Sequence, residues 1–174
     1  VGCNELAIPG QFYFNPGDTQ PGISHEQARQ LDLLTIAQRQ SLDTLMQYFR
    51  LNPDLAPRML AIANSPAGGL SRPAESAAHA FILLGAQRAS RLATLVALVG
   101  REPSDASRHY AITALTRALF MGKITRLGAP AENAATAFEI GLLSTAAHAL
   151  ELPLDTLLRK LQLPATGARA LAAQ

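Results

Sequence analysis

The sequence predicts an all-α fold, and composition and spacing carry the prediction together. Hydrophobic residues make up 48% of the 174-residue chain, yet aromatics are only 5% and Trp is absent. Such a core must be built from Leu, Ala, Ile and Val, which favours close-packed helices over sheet. Apolar residues recur at helical spacing along most of the chain, and no stretch shows the alternation of a half-buried strand. The length fits one domain with a sizeable core, and the pattern divides into about eight helices.

The first 22 residues hold Pro9, Gly10, Pro16, Gly17, Pro21 and Gly22, which forbid a regular helix. Within them Phe12-Tyr13-Phe14 is an aromatic patch in an aromatic-poor protein. Residues 1–22 therefore read as an extended arm packing its rings on the domain, or as the tail of an upstream domain. Residues 23–174 form the helical domain.

Ser24 and Gln27 have the spacing of a capping box. Leu31, Leu34, Leu42, Leu45, Met46 and Phe49 follow at helical spacing, with a break expected across 38–41, where polar residues dilute the pattern. Asn52-Pro53 reads as the cap and first turn of the next helix, with Leu55, Met59, Leu60 and Ile62 facing inward. Residues 64–72 are loop by composition, with Gly68-Gly69 supplying positive φ. Ser71 is a cap candidate for a helix that buries Ala77, Ala78, Phe81, Ile82 and Leu84 and stops at Gly85. Residues 86–99 are apolar nearly all round beyond Arg91, which predicts the most buried helix. Ser104 caps a long helix to Leu127, Gly128 and Pro130 divide it from a helix over 132–150, Pro153 opens a short helix to Leu161, and Pro164 leads into a last one.

Charge narrows the function classes. A net charge of +2 is too small to argue for nucleic acid. Charged residues are 16%, sparse for a lone soluble domain, so some surface is expected to meet another domain or subunit. Cys3 is the only cysteine, which excludes an internal disulfide and a cysteine-based metal cluster. No apolar run approaches the ~20 residues that span a bilayer, and residues 1–5 lack the features of a signal peptide. The expectation is a cytoplasmic protein without membrane or nucleic-acid partners. The absent initiator Met suggests a piece of a longer chain.

The central stretch resembles the HDOD family, a divergent branch of the HD-domain superfamily. The resemblance rests on Asn52-Pro53-Asp54-Leu55-Ala56, the run from Arg58 to Ser65, the glycine loop, the segment from Ser71 to Ala77, and Leu83-Leu84-Gly85, in that order. The C-terminal half is similar to the version found in two-domain EAL–HDOD proteins, through Leu115 to Gly128, Phe138 to Ser144 and Leu152-Pro153-Leu154. Residues 10–16 resemble, loosely, the end of an EAL domain. The resemblance implies an HD-like helical bundle acting as a regulatory or interaction domain in bacterial signal transduction. Its implied partner is an EAL-type or response-regulator-type signalling protein, with a link to cyclic-di-GMP signalling and a homodimer as a further option.

HD hydrolases hold divalent metal through a His-Asp doublet that commonly follows a Gly-Leu-Leu run. Here Gly141-Leu142-Leu143 continues as Ser144-Thr145, hydroxyls are poor metal ligands, and no His-Asp pair occurs in the chain. The expectation is a protein that is not an enzyme, with no catalytic residues, metal or cofactor. His25 is expected to be solvated, His109 exposed or at a helix end, and His79 a hydrogen-bonded core residue. His148 falls on the helical face of Ser144. A metal-dependent phosphohydrolase with a site relocated to His79, His109 or His148 is the alternative.

Arg50, Arg58, Arg72, Arg88 and Arg91 flank the 64–72 loop in sequence, and the arginine fork suits phosphate or carboxylate. Against ordinary solvated arginines stands a small-nucleotide sensor using Arg72 and Arg88. Asn64-Ser65 at a helix end is expected to bridge backbone groups. Asn64, Ser65, Arg72, His79 and Arg88 together make the candidate partner or ligand surface.

Overall fold

The computed structural model of the chain describes residues 23–128, 131–161, 163 and 165–172. The arm expected over 1–22, with its aromatic patch, lies outside the described residues. Among them there are nine α-helices and no strand: α1 His25–Gln38, α2 Leu42–Leu51, α3 Ala56–Ala63, α4 Ala77–Val99, α5 Asp105–Gly128, α6 Ala131–Leu143, α7 Ala146–Ala149, α8 Leu154–Leu161 and α9 Ala165–Ala172. Single 3-10 turns at Pro53–Leu55 and Pro66–Gly68 lead into and out of α3. The all-α bundle expected from the sequence is present.

The bundle is organised around α4, which packs against α1, α2, α3, α5 and α6. From Leu92 to Leu98 every side chain is buried, as the apolar run requires. Phe81 is fully buried and meets Phe49 of α2 edge to face, ring centroids 5.0 Å apart. Burying a side chain of that size contributes about 2–3 kcal/mol. Counted as one element across the Gly85 kink, α4 is long and apolar enough to cross a bilayer by length and composition. In the fold, 56% of its apolar window is buried, and it is the core helix.

Helix starts follow local chemistry. Ser24 caps α1, with its hydroxyl accepting from the Gln27 amide while the Gln27 side chain accepts from the Ser24 amide, so the capping box is complete. The break over 38–41 is also present: Gln40 has φ 52°, and Ser41 caps α2. Ser104, just before α5, and Ser107, in its first turn, exchange hydrogen bonds. Arg29 Nη2 donates to both carboxylate oxygens of Asp54, at 3.0 and 2.8 Å, and this ion pair ties α1 to the turn before α3.

Several expectations need correction. The cap of α4 is Ser76, whose hydroxyl accepts from the His79 amide, and not Ser71, because residues 71–75 are held in a loop. Gly85, by contrast, breaks helical geometry as expected, at φ 72° and ψ 167°, a region essentially reserved for glycine, and α4 is two helical segments that meet across this kink. Ala78 and Ile82 point outward, Ile82 with 67% exposure, because Ala77, Ala80, Phe81 and Leu84 occupy the inner face at steps of three and four. Asn52 closes the end of α2 by donating to the Tyr48 carbonyl, and makes no side-chain cap for the following turn. The helix expected over 132–150 divides at Ser144-Thr145 into α6 and α7.

Candidate functional site

The loop between α3 and α4 gathers the residues that the sequence singles out. Asn64 ends α3 and reaches across ten positions to Ala74, accepting from its amide at 2.7 Å and donating to its carbonyl at 3.0 Å. The Ser65 hydroxyl donates to the Ile62 carbonyl at 2.7 Å. Arg88, from the second half of α4, donates to the Gly68 carbonyl at 3.1 Å. The polar atoms of Asn64 and Ser65 thus hold backbone in place, as expected of that pair, while Arg72 is exposed to solvent. His79 is half-buried at the start of α4, outside the core, and its Nδ1 accepts from the Glu75 amide at 3.3 Å.

A second surface is formed by α5, and its amphipathicity is inverted. Its buried side is made of small residues, Ala111, Ala114, Ala118 and Gly122. Its outward side carries Ile112, Leu119, Phe120, Ile124 and Leu127, exposed by 66, 48, 65, 51 and 88%. At 100° per residue these large side chains share one half of the helix. The cause lies in α6. A Cβ at Gly141 would stand 2.6 Å from the Ala118 Cα, so the two backbones almost touch and only small residues fit between them. Gly122 lies similarly against Ala134 and Phe138, and these pairings run antiparallel.

The exposed face is basic. Beyond Asp105 the helix carries Arg108, Arg117, Lys123 and Arg126 and no acidic residue. Arg117 donates to the Ser144 hydroxyl at 3.3 Å. Beside the face, α4, α5 and α6 enclose a notch of about 350 Å³ lined by Gln87, Arg91, Leu119, Gly122, Lys123, Arg126 and Phe138, among others. The Arg91 guanidinium lies 4.1 Å from the centre of the Phe138 ring.

At the end of α6 the hydroxyls of Ser144 and Thr145 are engaged with backbone. Ser144 donates to the Gly141 carbonyl at 2.7 Å, and Thr145, 4% exposed, donates to the Tyr110 carbonyl of α5 at 3.1 Å. The HDOD domain model matches residues 24–150, most of the chain. The chain belongs to the HDOD family. HDOD domains are HD-like domains associated with signalling. No curated protein and no solved structure is matched by the chain. Helices α8 and α9 lie beyond the HDOD match, packed on α1 and α6.

In this HDOD domain the histidines are dispersed. His25, His109 and His148 are exposed; the rings of His109 and His148 lie 6.2 and 6.1 Å from that of Tyr110. The break between α6 and α7 removes the shared helical face inferred for Ser144 and His148. Among the described residues no group of three or more His, Cys, Asp or Glu side chains is placed to hold a metal ion. The Arg50, Arg58, Arg72, Arg88 and Arg91 set also disperses: Arg88 faces the glycine loop, whereas Arg91 joins the α5–α6 notch. Sequence reasoning missed the α5 face altogether. Its signal was a small-residue stripe paired with a large apolar stripe on one acid-free helix.

Proposed function

We propose that this HDOD domain is a non-catalytic regulatory module of bacterial cytoplasmic signal transduction that docks a protein partner through α5. The observation behind the reading is the inverted helix: five large apolar side chains face outward on a rigid element of the bundle. Rigid apolar faces with a polar rim are the usual make-up of protein interfaces. Complementarity selects the partner chemistry. With Arg117, Lys123 and Arg126 around the apolar residues and no acid after Asp105, the face suits an apolar surface edged by Asp and Glu.

A second copy fits less well. Two α5 helices paired antiparallel about Phe120 would set Arg117 of each against Lys123 of the other, which repels. The similarity to EAL–HDOD proteins supports an EAL-type domain as the partner, with a receiver domain next, and so a link to cyclic-di-GMP signalling. Docking would regulate by binding one state of the partner better than another.

Light scattering after size exclusion, with and without an EAL-type or receiver domain, tests the reading. A defined complex that Phe120→Asp abolishes supports it. A strict monomer that ignores each partner, a homodimer through α5, or binding of α5 to anionic vesicles instead would overturn it.

A further inference from the structure

The notch between α4, α5 and α6 has features that protein docking does not require. It is concave, and its volume of about 350 Å³ lies in the range of small-ligand sites. Three cations reach it from two helices: Arg91 from α4, and Lys123 and Arg126 from α5. Its remaining walls include the apolar side chains of Leu119, Ala134 and Phe138. We propose that this notch binds a small phosphorylated anion, with Arg91, Lys123 and Arg126 neutralising the phosphate and the apolar wall accepting the group attached to it.

Charge crowding supports the assignment. Burial depresses the Arg91 pKa, and the neighbouring charges of Arg126 and Arg88 push the same way; Glu139 opposes them. Glu139 is half-buried, accepts from Gln40 at 2.6 Å and lines a different cavity, toward α1 and α8. Arg91 Nε is buried without a hydrogen-bond acceptor among the described residues. A multiply charged anion would relieve the repulsion between Arg91 and Arg126 and would also meet Lys123 on the same wall, and a guanidinium fork held over Phe138 is suited to phosphate oxygens. A single carboxylate would neutralise only one charge.

The notch shares Leu119, Lys123 and Arg126 with the α5 docking face, but Arg91 comes from α4 and Phe120 does not line the notch, so Arg91→Ala and Phe120→Asp separate the two readings. Isothermal titration of the whole chain with inorganic phosphate, pyrophosphate and a nucleoside monophosphate tests it, with sulfate as control and ionic strength held constant. The expected result is saturable one-site binding, weakened at least tenfold by Arg91→Ala and by Lys123→Ala, and unchanged by Arg72→Ala or Phe120→Asp. Arg91→Lys keeps charge and fold but loses the fork, and is expected to bind more weakly. Tighter binding of the monophosphate than of pyrophosphate would assign the apolar wall to a nucleoside, whereas the reverse order would assign the site to the free phosphate chain. Absence of saturation, equal response to sulfate, or affinity indifferent to Arg91→Ala and Lys123→Ala would overturn the proposal.

Discussion

The carboxamide of Asn64 and the backbone of Ala74 exchange two hydrogen bonds, 2.7 and 3.0 Å long, closing the loop that joins α3 to the central helix. The pairing holds residues 71–75 out of helical conformation and delays the start of α4 to Ser76. Asn64→Ala leaves the Ala74 amide and carbonyl, on a buried residue, without these partners. The expected loss is about 1–3 kcal/mol, read from denaturant unfolding. Asn64→Asp keeps the acceptor and loses the donor, and should fall between wild type and Asn64→Ala.

Gly141 marks where α5 and α6 come closest. A methyl group there would press on Ala118 backbone atoms at 2.6 and 2.7 Å, and backbone cannot rotate away. Gly141→Ala should destabilise the fold by about 1–3 kcal/mol through overpacking, with a matching fall in melting temperature. Gly122→Ala meets its neighbours at 3.4 Å and should cost distinctly less.

Asp32 gives stability a pH dependence of unusual sign for a carboxylate. Burial raises its pKa from 3.8 to about 6, with Lys160 opposing, and Tyr48 also lies within reach of its charge. The folded state therefore holds a proton that the unfolded state releases, so this group favours folding most below pH 4. Its contribution declines as pH rises from about 4 to 6. Asp32→Asn should stabilise the protein at pH 7 by on the order of 1–2 kcal/mol, allowing for partial exposure. The gain should vanish below pH 4, as unfolding curves at both pH values would show.

The exposed side of α5 should be dispensable for folding. Phe120→Ser with Ile124→Ser removes apolar surface that the bundle does not bury, so stability should stay within about 0.5 kcal/mol of wild type. Solubility should rise. A large loss of stability in thermal melts would mean that this face packs on the chain itself.

Much of the fold was legible because local chemistry decided it. The capping box at Ser24 and Gln27, the polar break after Gln38 and the cap at Ser104 each act within a few residues. Ser76 was harder to read, since choosing it over Ser71 depends on Asn64 reaching ten positions along the chain to Ala74. The division of α6 from α7 depends on Thr145 donating to Tyr110 of another helix. The α5 face was illegible for a similar reason. Its sequence offers two apolar stripes, one small and one large, and periodicity normally sends the large one inward. Only the approach of Gly141 to Ala118 reverses that choice. The loop residues Asn64 and Ser65 were well placed by the sequence, but their polar atoms secure backbone, and the larger candidate surface lies elsewhere.

The central claim is that α5 is a protein-docking face, and light scattering on mixtures with an EAL-type or receiver domain tests it most directly. The account predicts a defined heterocomplex with the wild-type chain, its loss with Phe120→Asp and Ile124→Asp, and its weakening with Lys123→Glu and Arg126→Glu. A wild-type chain that stays monomeric in every mixture, or a complex that all these variants leave intact, would contradict it.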